Sequence, residues 1–128
     1  MIFIDSKPST VFNQTVGTGG IAKGEIGMLS SATLIDATAA AGDASLVGLA
    51  LADYAAGVVG QFELFSNRIV RAEYTGTASN LAIGKVYDLS NGHTVNIDDV
   101  TDGVFFCTGY DAVRGTVDGF ITLVHRLV

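Results

Sequence analysis

Alternating apolar and polar residues predict several β-strands along this chain. In RIVRAEYT (68–75), Val70 and Ala72 fall on one face of an extended segment, and Arg71 and Glu73 fall on the other. A period of two is typical of a half-buried strand. Short apolar runs predict further strands at TVFNQTV (10–16), GQFELFS (60–66) and GFITLVHRLV (119–128).

The clearest local signal is a β-hairpin in VYDLSNGHTVNID (86–98), where two extended runs flank Asn91 and Gly92. Asparagine and glycine tolerate the positive φ of a tight hairpin turn. Helix signals are weak by comparison, because the one alanine-rich run, ATLIDATAAA (32–41), contains β-branched residues and precedes a glycine. We expect a short helix or a turn there.

The strand pattern recurs after about 60 residues, which is the spacing of an internal repeat. The segment IAKGEIGMLSSATLID (21–36) resembles LAIGKVYDLSNGHTVNID (81–98), and ADYAAGVVGQFELF (52–65) resembles YDAVRGTVDGFITL (110–123). The second pair matches through Asp53/Asp111, Gly57/Gly115, Val59/Val117 and Phe62/Phe120. We predict two related β-units, about 21–65 and 81–124, packed about a pseudo-twofold axis. Chance similarity between two glycine-rich regions is the alternative.

The repeat decides how the glycine-rich stretch VGTGGIAKGEIGM (16–28) is interpreted. Gly17, Gly19 and Ala22 have the spacing of a dinucleotide-binding turn. That turn must open a helix whose free N–H groups receive the pyrophosphate. Gly24, however, matches Gly84, which stands before the predicted hairpin. We therefore expect Gly24 to mark a bend into a strand and not a nucleotide site.

Composition favours a single folded domain without a nucleic-acid partner. Of the 128 residues, 48% are hydrophobic and 16% are charged, and the net charge is −6. An acidic chain has no basic stripe for a phosphate backbone. We find no membrane-spanning run and no secretory signal, so we expect synthesis in the cytoplasm. High apolar content with little charge also suggests that other subunits cover part of the surface.

The residues of known chemistry form no recognisable site. Cys107 is alone and has no neighbouring base, so a buried apolar thiol is expected. Together with His93 and His125 it supplies at most an incomplete metal site. We expect His125 to be packed in the last strand and His93 to be solvated, with weak cation binding beside Asp98 or Asp99 as its alternative. No metal and no cofactor are predicted.

Carboxylates offer two further candidates. IDDVTDG (97–103) has three aspartates within five positions, which suggests Ca²⁺, but the glutamate that completes an EF-hand loop is missing. An ordinary acidic turn over 98–102 is the preferred interpretation. Asp53 and Asp111 would form a small acidic active site only if they met across the pseudo-twofold axis. The small residues and glycines near them suit turns better, so we expect no enzyme.

The first twenty residues combine apolar anchors with polar spacers. We select Ile2, Phe3, Ile4, Val11 and Phe12 as candidate contacts with another protein or a neighbouring subunit. One interpretation is an N-terminal arm over 1–20 that orders on a neighbour by adding a strand to a sheet edge. The other is an ordinary first strand with a frayed end. If the arm hypothesis is right, deleting residues 1–20 should weaken binding to that neighbour and leave the β-domain folded.

Three features together resemble the head decoration, or cement, proteins of tailed bacteriophages. They are the paired units of the form G-x-apolar-x-x-L-S followed by a turn and T-x-apolar, the phrase LVGLALADYAAGVVGQFELF (46–65), and a small acidic chain without an active site. The similarity runs from about Ile21 to Leu123. The duplicated pattern departs from the simplest members of that family.

The resemblance implies an all-β fold, a small β-barrel or β-clip-like domain with two pseudo-repeated units and an extended N-terminal arm. It implies binding to the outer surface of an icosahedral phage head, with the major capsid protein as partner and self-association as a homotrimer or a dimer. It transfers no catalytic residues. The alternatives are a carbohydrate-binding or adhesion module, which the absence of tryptophan and the scattered tyrosines disfavour, and a small enzyme with an unrecognised acidic site.

Overall fold

The computed structural model describes residues 1–4, 10–38, 45–65 and 68–122. The described chain is all-β, as predicted, and one short turn of 3-10 helix (Ala78–Asn80) is its helical element. The strands are β1 (Ile2–Phe3), β2 (Val11–Thr15), β3 (Ile26–Ser30), β4 (Thr33–Asp36), β5 (Leu46–Ala50), β6 (Val59–Leu64), β7 (Val70–Thr75), β8 (Val86–Asn91), β9 (Thr94–Asn96), β10 (Phe105–Asp111) and β11 (Thr116–Ile121). Among these ranges, no helix is long and apolar enough to cross a membrane.

The strands form two sheets with the same internal order. The first sheet has the order β2-β6-β5-β3-β4, and the second has the order β7-β11-β10-β8-β9 with β1 added beside β7. Each strand of the first sheet therefore corresponds to the strand five places later in the chain. We refer to strands β2–β6 as the first β-unit and to strands β7–β11 as the second β-unit.

The second β-unit is a closed five-stranded barrel. Parallel pairing of β7 with β9 joins the two ends of its sheet, through Glu73 with Thr94 and Tyr74 with Val95. The first β-unit has a parallel contact at the corresponding place, between Val16 and Leu34, but it is a single bridge. The small β-barrel domain expected from the sequence is confirmed.

Equivalent turns introduce β3 and β8. Gly24 and Gly84 both have positive φ, +80° and +90°, which glycine adopts at little cost. Their N–H groups donate hydrogen bonds to the carbonyl oxygens of Ala50 and Cys107, at 2.9 and 2.8 Å. The glycine-rich stretch thus enters a strand at Ile26, as predicted, and opens no helix.

The two β-units share their largest hydrophobic cluster. Ile26, Leu46 and Leu49 of the first unit are buried in it with Tyr87 and Phe105 of the second. A smaller cluster fills the first unit, where Phe62 is fully buried among Val16, Ile21, Leu34 and Ala50. Burial of both clusters away from water stabilises the domain. The apolar contact between the units explains why neither sheet faces water on both sides.

The predicted hairpin is confirmed, but its turn lies one residue further along the chain. β8 and β9 pair antiparallel, with Asn91 opposite Thr94 and a turn at Gly92 and His93. Gly92 does not have the positive φ on which the prediction rested. It is required by close approach instead, because a Cβ there would collide with the carboxyl group of Asp36.

Two other segment predictions are corrected. The alanine-rich run forms strand β4 in place of a helix or turn at Thr33–Asp36, because these residues pair with β3. Its end, 39–41, lies outside the described residues. The last predicted strand is observed as β11, which begins earlier, at Thr116. Residues 123–128, including His125, lie outside the described part.

The register of the strands shifts two proposed matches in the internal repeat: Phe62/Phe120, and Val59/Val117, of which Val59 is exposed and Val117 is buried. Phe62 lies opposite Ala50 in the first unit, and Gly119 lies opposite Cys107 in the second. Because Ala50 and Cys107 accept the equivalent hydrogen bonds, Phe62 corresponds to Gly119 and not to Phe120. Consistent with this, Phe62 is fully buried, whereas Phe120 is half-buried and stacks on Phe106 with 5.0 Å between ring centroids.

Candidate functional site

The start of the predicted arm is paired within the chain. β1 lies antiparallel to β7, with Ile2 opposite Arg71 and Phe3 opposite Val70. The Phe3 ring packs edge-on against Phe65, with centroids 6.4 Å apart, and the Arg68 guanidinium carbon lies 4.2 Å from its centroid. Ile2 points outward with 61% of its surface exposed. Alternation along the strand therefore separates an anchoring ring from an exposed aliphatic side chain.

Val11 and Phe12 repeat this division in β2, which is an integral strand of the first β-unit. β2 pairs with β6, with Val11 opposite Glu63 and Phe12 opposite Phe62. The Phe12 ring stacks on Phe62 at 5.7 Å, and Val11 is exposed. Residues 11–15 therefore belong to a sheet, which differs from the predicted arm over 1–20.

Of the five predicted contact residues, the structure presents three outward and packs two inward. Ile2, Ile4 and Val11 are exposed, whereas Phe3 and Phe12 are half-buried against phenylalanines of the domain. The sequence predicted the apolar character of this segment without separating the two groups. The signal that separates them is the period-two alternation of the strands.

Ile2 borders an open cavity of about 520 Å³, which we call the arm groove. Phe3, Leu49 and Leu51 supply apolar wall, and Leu51 is exposed. An ion pair between Arg68 Nη1 and Glu63 Oε1, 2.7 Å apart, forms the polar wall. The Arg68 residue is only 9% exposed, so its charge is neutralised where little water reaches it. Lys23 also lines the groove. Apolar walls with a few charged groups suit a side chain or a strand of another protein.

A larger open cavity, about 820 Å³, lies in the first β-unit, and we call it the acidic groove. Its walls include the glycine-rich loop 18–22, Tyr54 and the carboxyl groups of Glu25, Asp36 and Asp53. Asp53 Oδ1 accepts a hydrogen bond from Lys23 N at 2.8 Å, and Glu25 Oε1 accepts one from Ala22 N at 2.7 Å. These carboxylates hold the loop in place and make the groove unfavourable for a phosphate.

Asp36 is the most perturbed carboxyl group at this groove. Its Oδ1 atom is buried and has no hydrogen-bond partner among the described residues. Burial and the neighbouring Glu25 carboxylate raise the pKa of Asp36 to about 6. No sequence pattern indicates this perturbed pKa, because Asp36 aligns with Asp98 in the sequence repeat and resembles an ordinary turn residue.

His93 is placed beside Glu25, although 68 residues separate them in the chain. The distance from His93 Nδ1 to Glu25 Oε2 is 3.1 Å, and the imidazole is about half exposed. The predicted solvation of His93 is therefore partial. Its neighbour is Glu25 and not the aspartates of the acidic turn. His125 lies outside the described residues.

The carboxyl groups of the acidic turn hold the local backbone. Asp98 Oδ1 accepts hydrogen bonds from Thr77 N and Asn80 Nδ2 at 2.8 and 2.7 Å, which lowers the pKa of Asp98. Asp99 Oδ1 accepts from Thr101 N and Oγ1, which lowers the pKa of Asp99. Across the described ranges, no group of three acidic, histidine or cysteine side chains is arranged to hold a metal ion.

Cys107 and the pair Asp53/Asp111 do not converge on a shared site. Burial raises the pKa of the Cys107 thiol, which therefore resists forming the nucleophilic thiolate. Asp53 lines the acidic groove, whereas Asp111 lines a separate cavity of about 350 Å³ with Arg71 and Arg114. Asp111 Oδ1 accepts hydrogen bonds from the backbone of its own turn, at Val113 and Arg114.

The chain matches no protein-family profile and no curated protein sequence.

Proposed function

We propose that this chain is a non-enzymatic capsid decoration protein that binds the outer surface of an icosahedral bacteriophage head. It would bridge neighbouring major capsid subunits and associate with itself, as a homotrimer or a dimer. The proposal begins from the resemblance of its paired β-units to phage cement proteins. The structural observation that carries it is the exposed aliphatic group, Ile2 with Leu51, at the mouth of the arm groove.

The arm groove offers the chemistry that a protein partner needs. Burying aliphatic surface contributes about 25 cal/mol per Å², or roughly 1 kcal/mol for each of two half-exposed side chains. Such a contact is weak by itself. Repeated copies on one particle, each joined to its neighbours, convert weak contacts into stable attachment because the effective concentration is high.

β1 provides a second means of attachment. It is the end strand of the six-stranded sheet, and within the described chain its partner is β7 on one side. An end strand can accept a further strand from another protein through its backbone groups. A capsid segment that paired with β1 would place its own side chains beside Ile2 and Ile4.

The net charge of −6 suits a protein that binds the outside of a DNA-filled particle. A negatively charged protein avoids nonspecific adhesion to nucleic acid during assembly. We assign no catalytic role and no cofactor to the chain in this proposal.

Sedimentation with expanded, DNA-filled phage heads tests the proposal. The wild-type chain should bind saturably at a fixed ratio to the major capsid protein. The double variant Ile2→Ser, Leu51→Ser should bind about tenfold or more weakly, since roughly 1 kcal/mol per side chain is lost. Val113→Ser is the matched control, because Val113 is 98% exposed in the β10–β11 turn. Absence of binding to any expanded head would remove the proposal.

A carbohydrate-binding module is the second candidate, and the acidic groove favours it. Asp53, Glu25 and Tyr54 line an open cavity of about 820 Å³, and carboxylates with an aromatic ring suit sugar hydroxyls and sugar faces. Binding of the wild-type chain to a glycan array, with none to phage heads, would favour this candidate over the first.

A further inference from the structure

The turn of the β8–β9 hairpin is fastened to the first β-unit. Ile26 N donates a hydrogen bond of 2.6 Å to the carbonyl oxygen of Gly92, and Thr38 forms a bridge with Asn91. Gly92 packs so closely on the Asp36 carboxyl group that no side chain would fit there. This junction joins the two β-units by polar contacts beside their shared apolar core.

Three ionisable side chains meet at this junction. The His93 imidazole and the Glu25 carboxylate are in contact at 3.1 Å. Asp36 lies next to Glu25, and its buried oxygen against Gly92 lacks a hydrogen-bond partner in the described chain. Two carboxyl groups and one imidazole thus occupy a contact where each change of charge alters the attraction between the β-units.

We propose that Glu25, Asp36 and His93 form a proton-controlled clasp, which fastens the β8–β9 turn to the first β-unit in acidic solution and loosens it towards neutral pH. The inference concerns the chain itself and stands apart from the proposed attachment to a capsid.

The sign of the effect follows from the charges. The pKa of Asp36 in the closed junction is about 6, above the usual value near 3.8. Protonation of Asp36 therefore favours the closed junction, fully so below about pH 4, and this contribution is lost as the pH rises through about 6. The His93 imidazole contacts the other carboxyl group, Glu25, at 3.1 Å. At neutral pH the carboxylates of Asp36 and Glu25 repel each other across the junction.

Other charged groups face the clasp from the neighbouring elements: the Met1 amino group, Arg71, Asp53 and Glu73. Arg71 and Glu73 line a small cavity with His93. Burial lowers the pKa of the Met1 amino group, although Glu25 opposes this. When the Met1 amino group loses its positive charge at rising pH, it no longer neutralises Glu25. This change also loosens the junction as the pH rises.

The second β-unit shows why the device is confined to one junction. Asp98 aligns with Asp36 in the internal repeat, but the amide donors of Thr77 and Asn80 bind its carboxylate and lower its pKa. The corresponding loop of the first unit ends in Gly20, which has no side-chain amide like that of Asn80. Asp36 is left next to Glu25 and takes up a proton at much higher pH.

Hydrogen exchange in the full chain tests the clasp through one backbone amide. The Ile26 amide, which donates to Gly92, should lose protection by at least about fivefold between about pH 4.5 and pH 7.5, after correction for intrinsic exchange. The Gly84 amide, which donates to Cys107 inside the second unit, is the control and should not change. The Asp36 carboxyl carbon should titrate with a midpoint near 6.

Two variants separate the clasp from general instability. Asp36→Asn cannot ionise, so its Ile26 amide should have the same protection at both pH values. If circular dichroism shows that Asp36→Asn does not fold, Glu25→Gln removes the neighbouring carboxylate and should reduce the pH dependence, while the part that comes from the burial of Asp36 remains. Equal protection of Ile26 at both pH values in the wild-type chain, or a wild-type loss of protection in the folded variants, would overturn the proposal.

Discussion

Gly24 and Gly84 occupy equivalent turns, yet only Gly24 has another backbone segment packed against it. A Cβ on Gly24 would lie 2.8 Å from the carbonyl oxygen of Met1, whereas a Cβ on Gly84 would meet nothing within 4 Å. The two glycines therefore have the same conformational requirement and different steric surroundings.

Alanine substitution should distinguish these two requirements. Gly84→Ala places a side chain at φ +90° and should lower the free energy of unfolding by about 1 kcal/mol. Gly24→Ala should cost roughly 1 kcal/mol more, because its Cβ also displaces Met1. Urea unfolding of both variants measures the difference. Equal costs would mean that the approach of Met1 contributes nothing to stability.

Truncation should separate the short end strand from the domain. Deleting residues 1–4 removes β1 and its two pairs with β7, so the remaining strands should stay folded. Deleting 1–20 also removes β2, which has five register pairs with β6 and the Phe12–Phe62 stack. We expect the longer deletion to unfold the first β-unit, in contrast to the expectation from sequence. Near-ultraviolet circular dichroism and urea unfolding compare the two truncations, and a cooperative transition in both would contradict this assignment of β2.

Asp88 should be a structural carboxylate. It is 2% exposed, and its Oδ1 accepts hydrogen bonds from Asp102 N and Gly103 N, both at 2.8 Å. Asp88→Ala should lower the free energy of unfolding by about 2 to 3 kcal/mol, because two amides lose their acceptor. Asp88→Asn keeps a carbonyl oxygen and should cost less. Asp102→Ala is the control, because its exposed side chain leaves the backbone amide in place, and thermal melts of all three should rank accordingly.

Cys107 should be unreactive in the folded protein. Its thiol is fully buried, and burial raises its pKa. An aromatic disulfide reagent at about pH 8 should label the native chain at least about 100-fold more slowly than the chain in denaturant. Labelling at the denatured rate without denaturant would show that β10 opens readily.

The sequence was most informative about which side chains of a strand are buried and which are exposed, because these alternate along the strand. The alternation of Val70 and Ala72 with Arg71 and Glu73 correctly predicted the two faces of β7. The internal matches failed at Val117 and Phe120 because β10 has a bulge between Cys107 and Gly109, which shifts the register against β11 by one residue. The spacing of apolar residues in the sequence does not reveal a bulge of this kind.

The junction residues could not have been predicted by the same reasoning. Glu25 and His93 meet only because the β8–β9 turn packs against the first β-unit, and neither lies in a recognisable motif. Gly92 was selected as a turn residue, but its requirement comes from Asp36 in the other unit. Contacts between distant segments depend on tertiary packing, which local pattern does not specify.

The pairing of β1 with β7 also constrains the order in which the chain can fold. Ile2 lies opposite Arg71, so the pair closes a loop of roughly 70 residues, which costs more conformational entropy than any hairpin. During synthesis the ribosome releases β1 first, yet its docking strand appears only after the whole first β-unit has emerged. β1 therefore stays unpaired until more than half of the chain has been made, and its pairing should be slow compared with the closing of the local hairpins.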